Sequence, residues 1–186
     1  FIGKTIVSAP VNITCDSFYL KDNLLILENG VLVEYEGSNI VSDRAEGELN
    51  DDGTIKTATF FGDVKYLYNS DISIEASEIT VNFEKNSVLF LNSYTIQKYK
   101  GENDINVRIW SEKIEKPVDE NVIHARDTKL TTCEDCITYY LSAKKVDIYP
   151  GYFLIARDVV LSFFGVPTLY LPFYFQSLSE DEEVPF

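Results

Sequence analysis

Apolar and polar residues alternate over short stretches along most of the chain. Asp104-Ile-Asn-Val-Arg-Ile109 and Ile79-Thr-Val-Asn-Phe83 are clear cases, and Ile72-Ser-Ile74 (leading to Ala76) and Lys145-Val-Asp-Ile148 repeat the rhythm. Period two sends successive side chains to opposite faces of an extended strand, so one face becomes apolar and the other polar. No long segment carries the 3.6-residue apolar stripe of an amphipathic helix. The pattern predicts an all-β chain.

Turn signals punctuate these strands at regular distances. They fall at Lys21-Asp-Asn23, Asn50-Asp-Asp-Gly53, Glu84-Lys-Asn86, Asp119-Glu-Asn121 and Pro150-Gly151, and their last residues are 30, 33, 35 and 30 apart. After each turn comes a short apolar run and then a polar or glycine pair: Asn29-Gly30, Gly62-Asp63, Asn92-Ser93, Arg126-Asp127, Arg157-Asp158. Another strand follows each pair. Such residues at a fixed strand position are what a bend or bulge requires. Two markers with one spacing predict about five copies of a roughly 30-residue unit, each a hairpin whose strands are kinked midway. One unit cannot bury its apolar face alone, whereas stacked units share a continuous core. An ordinary meander with evenly spaced turns is the plainer reading of the same signals.

Composition narrows the function. The chain has 186 residues, 45% of them hydrophobic, with 12 Tyr and 12 Phe, which is enough to build a core and excludes the disordered class. Sixteen basic against 30 acidic residues give a net charge of −14, which excludes a nucleic-acid partner because affinity for phosphate backbones rests on Lys and Arg. It also argues against electrostatic anchoring to anionic lipid. There is no Met, even at position 1, so the chain reads as a processed or trimmed segment. The apolar stretch from Leu161 to Phe175 is uncharged, but it falls short of the roughly 20 residues a spanning helix needs and contains Pro167 and Pro172. A buried strand pair, or the approach to a larger apolar partner, accounts for it.

Catalytic and metal-binding patterns are sparse. His124 is the one histidine, at a strand position in Val122-Ile-His-Ala125, and a surface role suits it better than catalysis. There is no Gly-x-Ser-x-Gly elbow and no phosphate-cradling glycine loop. Asn50-Asp-Asp-Gly53 lacks the alternating ligands and later Glu of a calcium loop, so a hairpin turn explains it. Glu180-Asp-Glu-Glu183 reads as a solvated linker. No enzyme, cofactor or metal is expected. Three cysteines, Cys15, Cys133 and Cys136, leave an odd count. A disulfide role in an oxidising compartment leads, with free thiols or a metal site as the other readings of Cys133-Glu-Asp-Cys136.

The last third carries a more specific pattern. Leu130-Thr-Thr-Cys133 precedes the strand Tyr139–Ile148; then come Gly151, the run Tyr152–Asp158, and Val166-Pro-Thr-Leu-Tyr-Leu-Pro-Phe173. That order resembles the end of the periplasmic domain in the LptD (OstA) family of lipopolysaccharide-assembly proteins, in which it precedes the outer-membrane barrel. The upstream repeats resemble the OstA-type β-jellyroll of the LptA and LptC bridge proteins. The repeat resemblance covers nearly the whole chain, and the Val166–Phe173 motif is its most specific part. After Phe173 the family has a further Pro and a basic stretch, where this chain has Gln176-Ser-Leu-Ser179 and then acids.

The resemblance implies an OstA-type β-jellyroll over residues 1–175, a V-shaped, two-sheet array of stacked, kinked antiparallel strands, with residues 176–186 an acidic linker toward a C-terminal outer-membrane barrel. It implies a periplasmic location at the outer membrane and lipopolysaccharide or a related glycolipid as ligand. Implied partners are an LptA-like bridge protein added to an edge strand near Thr5–Ile13, the barrel, and the barrel's lipoprotein. Cys133 matches the family's Thr-Cys position and Cys15 the region of another family cysteine, where pairing with barrel cysteines occurs. Cys136 lies outside that pattern, so a local Cys133–Cys136 bridge would replace the inter-domain one. A bridge protein without a barrel, or a structural envelope solenoid without ligand, are the competing readings.

Two bent walls would leave an apolar interior for acyl chains. The inward apolar positions expected to line it are Val31, Val33, Phe60 and Val64 in the first repeats, then Ile72, Ile74, Ile79, Val81, Phe83 and Phe90. The later ones are Ile105, Val107, Ile109, Leu141, Val146, Ile148, Phe153 and Ile155. Burial contributes about 0.8 kcal/mol per CH₂, so roughly ten methylenes offset the cost of association. Repulsion of phosphorylated lipid by the net negative charge is screened over about 8 Å. Solid core is the plainer role for each of these residues.

Overall fold

The computed structural model describes residues 12–35, 38–68, 72–99, 105–117, 120–133, 138–150 and 152–177. Every element among them is a strand: β1 (Asn12–Thr14), β2 (Ser17–Lys21), β3 (Leu24–Tyr35), β4 (Ser38–Leu49), β5 (Ile55–Tyr68), β6 (Ile72–Asn82), β7 (Ser87–Tyr99), β8 (Ile105–Pro117), β9 (Ile123–Thr131), β10 (Tyr139–Tyr149), β11 (Phe153–Phe163) and β12 (Val166–Ser177). They form one antiparallel sheet in sequence order from β3 to β12, with β1 and β2 both paired to β3. The chain is all-β, as its alternation predicts. Several loops coincide with the expected turn signals. Lys21 pairs with Leu24 across Asp22-Asn23, and Asp22, Gly53 and Asn86 have φ of 53°, 83° and 46°. The Asp52 carboxylate accepts the Thr54 N–H at 2.9 Å and its hydroxyl at 2.6 Å, which lowers the Asp52 pKa and locks a local turn.

The midway kinks are the main determinant of shape. Positive φ occurs at Asn29 and Gly30 in β3, Gly62 and Asp63 in β5, Asn92 in β7, Asp127 in β9 and Asp158 in β11, within all five expected pairs. Left-handed backbone is tolerated by glycine and by Asn or Asp, whose short polar side chains bond locally. From β7 onward one residue of each strand drops out of the ladders at the kink: Asn92, Glu112, Asp127, Lys144, Asp158 and Pro172; Thr168 of β12 drops out separately at a register shift. Pro172 suits such a position because it has no N–H to leave unpaired. The residues at the kink line up into one crease across the sheet.

The sheet folds back on itself at this crease. Tyr66 of β5 and Phe90 of β7 meet edge-on with ring centroids 5.5 Å apart. In a flat sheet the two residues would stand about 10 Å apart across the strands and about 15 Å along them, beyond the reach of the two rings. The two walls expected from the sequence are therefore halves of one sheet. The first wall carries the hairpin turns near residues 22, 52, 85, 121 and 151, and the second lies beyond the crease. Strands come within 8 Å Cα–Cα of their ladder neighbours alone among the described residues. The walls are thus held apart by a layer of side chains.

Candidate functional site: the inner face of the creased sheet

Register fixes which side chains face inward. On the first wall a rung runs Leu27, Ala45, Phe60, Ile79, Phe90, Ile114, Ala125, Val146, Ala156, Tyr174. On the second wall the corresponding rung is Val33, Ile40, Tyr66, Ile74, Thr95, Ile109, Leu130, Leu141, Leu161, Leu169. Directly paired residues share a face, so each rung is one apolar stripe across ten strands, the second interrupted only by Thr95.

Beside the crease the walls converge and the inward residues become small. Ser42, Ala76, Ser93, Ser111 and Thr128 are all buried there. Their hydroxyls stay satisfied within the sheet. Ser42 Oγ donates to the Arg44 carbonyl at 3.1 Å, Ser93 Oγ to the Ser111 carbonyl at 3.3 Å, and Ser111 and Thr128 share a 3.0 Å bond. Buried hydroxyls need such partners to avoid a desolvation penalty.

The two ends of the interior differ. From β3 to β7 it is filled: Val31, Val64 and Ile79 are 0% exposed, and Phe60 and Phe90 are also buried. Val33, Ile74 and Val81 pack against this core, and Cys15 closes its N-terminal side. From β8 onward Ser111, Ala125, Thr128, Ala156 and Val159 stay buried, and the longer inward aliphatic side chains are only partly covered. Val107, Ile109, Leu130, Leu141, Val146, Ile148, Leu154 and Leu161 are half-buried, and Leu169 on β12 is 50% exposed. The interior is therefore a packed plug that opens into an apolar slot toward the β12 edge.

The expected wall residues fall accordingly. Val31, Val33, Phe60, Val64, Ile74, Ile79, Val81 and Phe90 belong to the plug. Val107, Ile109, Leu141, Val146 and Ile148 line the open slot. Ile72 and Ile105 pair with Tyr68 and Tyr99, and their side chains lie outside the described part. Three positions are corrected. Phe83 lies past the end of β6 and is exposed, because the chain has already entered its turn. Phe153 and Ile155 face the opposite way, pairing with Tyr149 and Asp147, because dropping Asp158 from the ladder reverses the alternation. Leu154 and Ala156 point inward in their place. Leu130, Leu161, Leu169 and Leu171 also line the interior, and alternation counted back from the crease in each strand would have located them.

Polar clusters sit on the outer face. A cleft of about 650 Å³ follows the crease past Asp127, Asp158, Lys129 and Lys144. There Tyr170 donates to Asp158 at 2.7 Å, and this bond raises the tyrosine pKa. A second, of about 430 Å³, is bordered by His124, Tyr149, Tyr152 and Phe153. His124 Nδ1 lies 2.7 Å from Asp147, whose other oxygen is 3.7 Å from Arg157. His124 is thus tied into a surface charge network. Cys15 and Cys133 are free thiols, seven ladder steps apart, roughly 34 Å at about 4.8 Å per strand. That separation far exceeds disulfide reach, so the two cannot pair within one chain. Hydrogen bonds from the Tyr139 backbone and the Thr131 hydroxyl lower the Cys133 pKa. Cys136 lies outside the described residues.

No known protein family and no curated protein matches the chain by sequence. Among solved structures the chain is similar to LptH of Pseudomonas aeruginosa, described as the LptA-homologous periplasmic component of a conserved lipopolysaccharide transport device. The TM-score is 0.47 and the identity 15%, over 63% of this chain and 82% of that one.

Proposed function

We propose that the chain is a periplasmic lipid carrier that holds the acyl chains of lipopolysaccharide, or a related glycolipid, between its two walls and passes them toward an outer-membrane barrel. The observation that carries this reading is the half-covered stripe Ile109, Leu130, Leu141, Leu161, Leu169, facing Ile114 and Val146 across the slot. Backbone groups of β8 to β11 are already spent in the ladders, so between the walls, away from the free edge of β12, a peptide would find no main-chain partners. A hydrocarbon tail needs none, and each CH₂ it buries contributes about 0.8 kcal/mol. The LptD resemblance supports the same direction. Its Val166–Phe173 motif occupies β12, with Pro167 beside a register shift and Pro172 at the crease. Under this reading the packed β3–β7 end anchors the fold and the slot near β12 loads lipid. An LptA-like bridge would join by strand addition near Thr5–Ile13, of which Asn12 and Ile13 lie in the edge strand β1 and the rest fall outside the described residues. A barrel and its lipoprotein would lie downstream. A barrel-free bridge of the same fold is the second reading, favoured by the same slot. A full reading frame without alternating strands of about ten residues after this chain would decide for it.

Photocrosslinking to lipopolysaccharide tests the proposal. A photoreactive residue at Leu141 or Val146 is expected to capture lipid, and one at Ile155 on the opposite face is not. Ile109→Glu is expected to abolish capture at Leu141 while the β-sheet circular dichroism stays unchanged. Equal capture at Ile155 and Leu141 would overturn the slot as the binding site.

A further inference from the structure

The hairpin between β11 and β12 closes in two residues, Phe164 and Gly165, because Phe163 pairs with Val166. Both central residues have positive φ, 48° and 80°, the signature of a type I′ turn. Such turns favour Asn-Gly or Asp-Gly, since a bulky side chain is strained in left-handed backbone. The chain follows that preference elsewhere. Of its eight described non-glycine residues with positive φ, seven are Asn or Asp, and the eighth is Phe164. The ring gains no packing in return, because it is 80% exposed. Phe163, Val166 and Leu169 beside it are exposed as well. No residue from Val159 to Ser179 carries a charge. The Phe164 N–H is already satisfied by the Thr138 carbonyl at 2.8 Å, so leaving water would cost this backbone donor nothing further.

We propose that this hairpin tip is a wedge that inserts its phenylalanine rings into the interface of a lipid bilayer and so seats the open end of the sheet on a membrane. A strained, exposed ring is unfavourable in water on two counts, and its position is rational where the ring leaves water. The tip, Phe163-Phe-Gly-Val166, is uncharged and carries no polar side chain, which fits a fluid apolar phase better than a shaped protein pocket. The net charge of −14 opposes anionic lipid, so binding rests on apolar insertion and favours zwitterionic bilayers. The wedge goes beyond acyl capture between the walls, and either can fail without the other.

Co-flotation of the chain with phosphatidylcholine vesicles tests it. Wild type is expected to float, and Phe164→Asn to lower the partition coefficient roughly tenfold, the factor that burial of one ring carries. The same variant is expected to keep or raise the melting temperature, because Asn suits the turn. Phe173→Asn, an exposed ring away from the tip, is expected to float like wild type. In a Trp110→Phe background, a Phe164→Trp probe is expected to shift its emission to the blue when vesicles are added. Unaltered flotation of Phe164→Asn, unshifted emission of the probe, or tighter binding to phosphatidylglycerol than to phosphatidylcholine at low salt would overturn the proposal. Failure of wild type to float would do so too, and would leave a protein pocket as the ring's seat.

Discussion

At the residue scale the crease depends on a few backbone positions that tolerate little change. Gly62 has φ of 75°, and a Cβ built there would lie 2.5 Å from Asp43 Oδ2 and 3.0 Å from Asp43 Cβ. Gly30 has a similar φ of 61° but nothing within 4 Å of the corresponding Cβ. The pair separates backbone strain from steric contact. Gly30→Ala is expected to lower unfolding free energy by about 1 kcal/mol, the cost of placing alanine in left-handed backbone. Gly62→Ala is expected to cost about 1–2 kcal/mol more, since the carboxylate must move. Urea unfolding of both variants measures the difference, and adding Asp43→Ala should recover the part of the excess at Gly62 that the carboxylate causes, leaving the 3.0 Å contact with Cβ of residue 43 and the strain common to both. Equal losses at the two glycines would mean that Asp43 yields freely and the crease is less tightly packed than its geometry indicates.

At the element scale the two edges of the sheet are unequal. β1 and β2 are short and split around Cys15-Asp16, whereas β12 is a 12-residue uncharged strand with Phe173 69% and Phe175 57% exposed. Long, flat, apolar edges template pairing with other chains, and lysines on an edge suppress it. The chain is therefore expected to self-associate through β12. Phe173→Lys with Phe175→Lys, both on the outer face, should shift sedimentation velocity toward monomer without loss of fold. Association unchanged by the two lysines would move the contact to another surface. The same strand shows what was legible in the sequence. Turn and kink residues announced themselves because few residue types accept their φ values, and the alternation gave the strands. The facing of Phe153 and Ile155 was not legible. Alternation carried back unbroken from Val159 places them inside, and only the unpaired Asp158 reverses the phase. Nor did the alternation distinguish plug from slot, since Phe90 and Leu141 carry the same signal and differ only in what the opposite wall places over them.

At the scale of the whole molecule, stability should be graded along the stacking direction. In a stacked array each unit is held by its neighbours, so local opening follows local burial rather than one global transition. Three of the fully covered side chains, Val31, Val64 and Ile79, and the Tyr66–Phe90 contact lie toward β3–β7; Thr131 and Ser162 are covered farther along, but the long inward side chains of β10–β12, Val159 excepted, are partly covered or exposed. Hydrogen exchange is therefore expected to show the slowest amides in β4–β6. Protection should fall progressively through β10 and β11, with β12 exchanging fastest among the long strands because one side of its backbone has no partner. If the slot takes up acyl chains, saturating lipid should slow exchange in β9–β12 and leave β4–β6 almost unchanged, because only the open end gains buried surface. Binding that stabilised every strand equally would indicate that lipid also enters the β3–β7 interior, which would require Phe60 and Phe90 to leave their packed positions. Uniform protection without lipid would show that the two ends open as one unit, and the division into anchor and slot would have no thermodynamic counterpart.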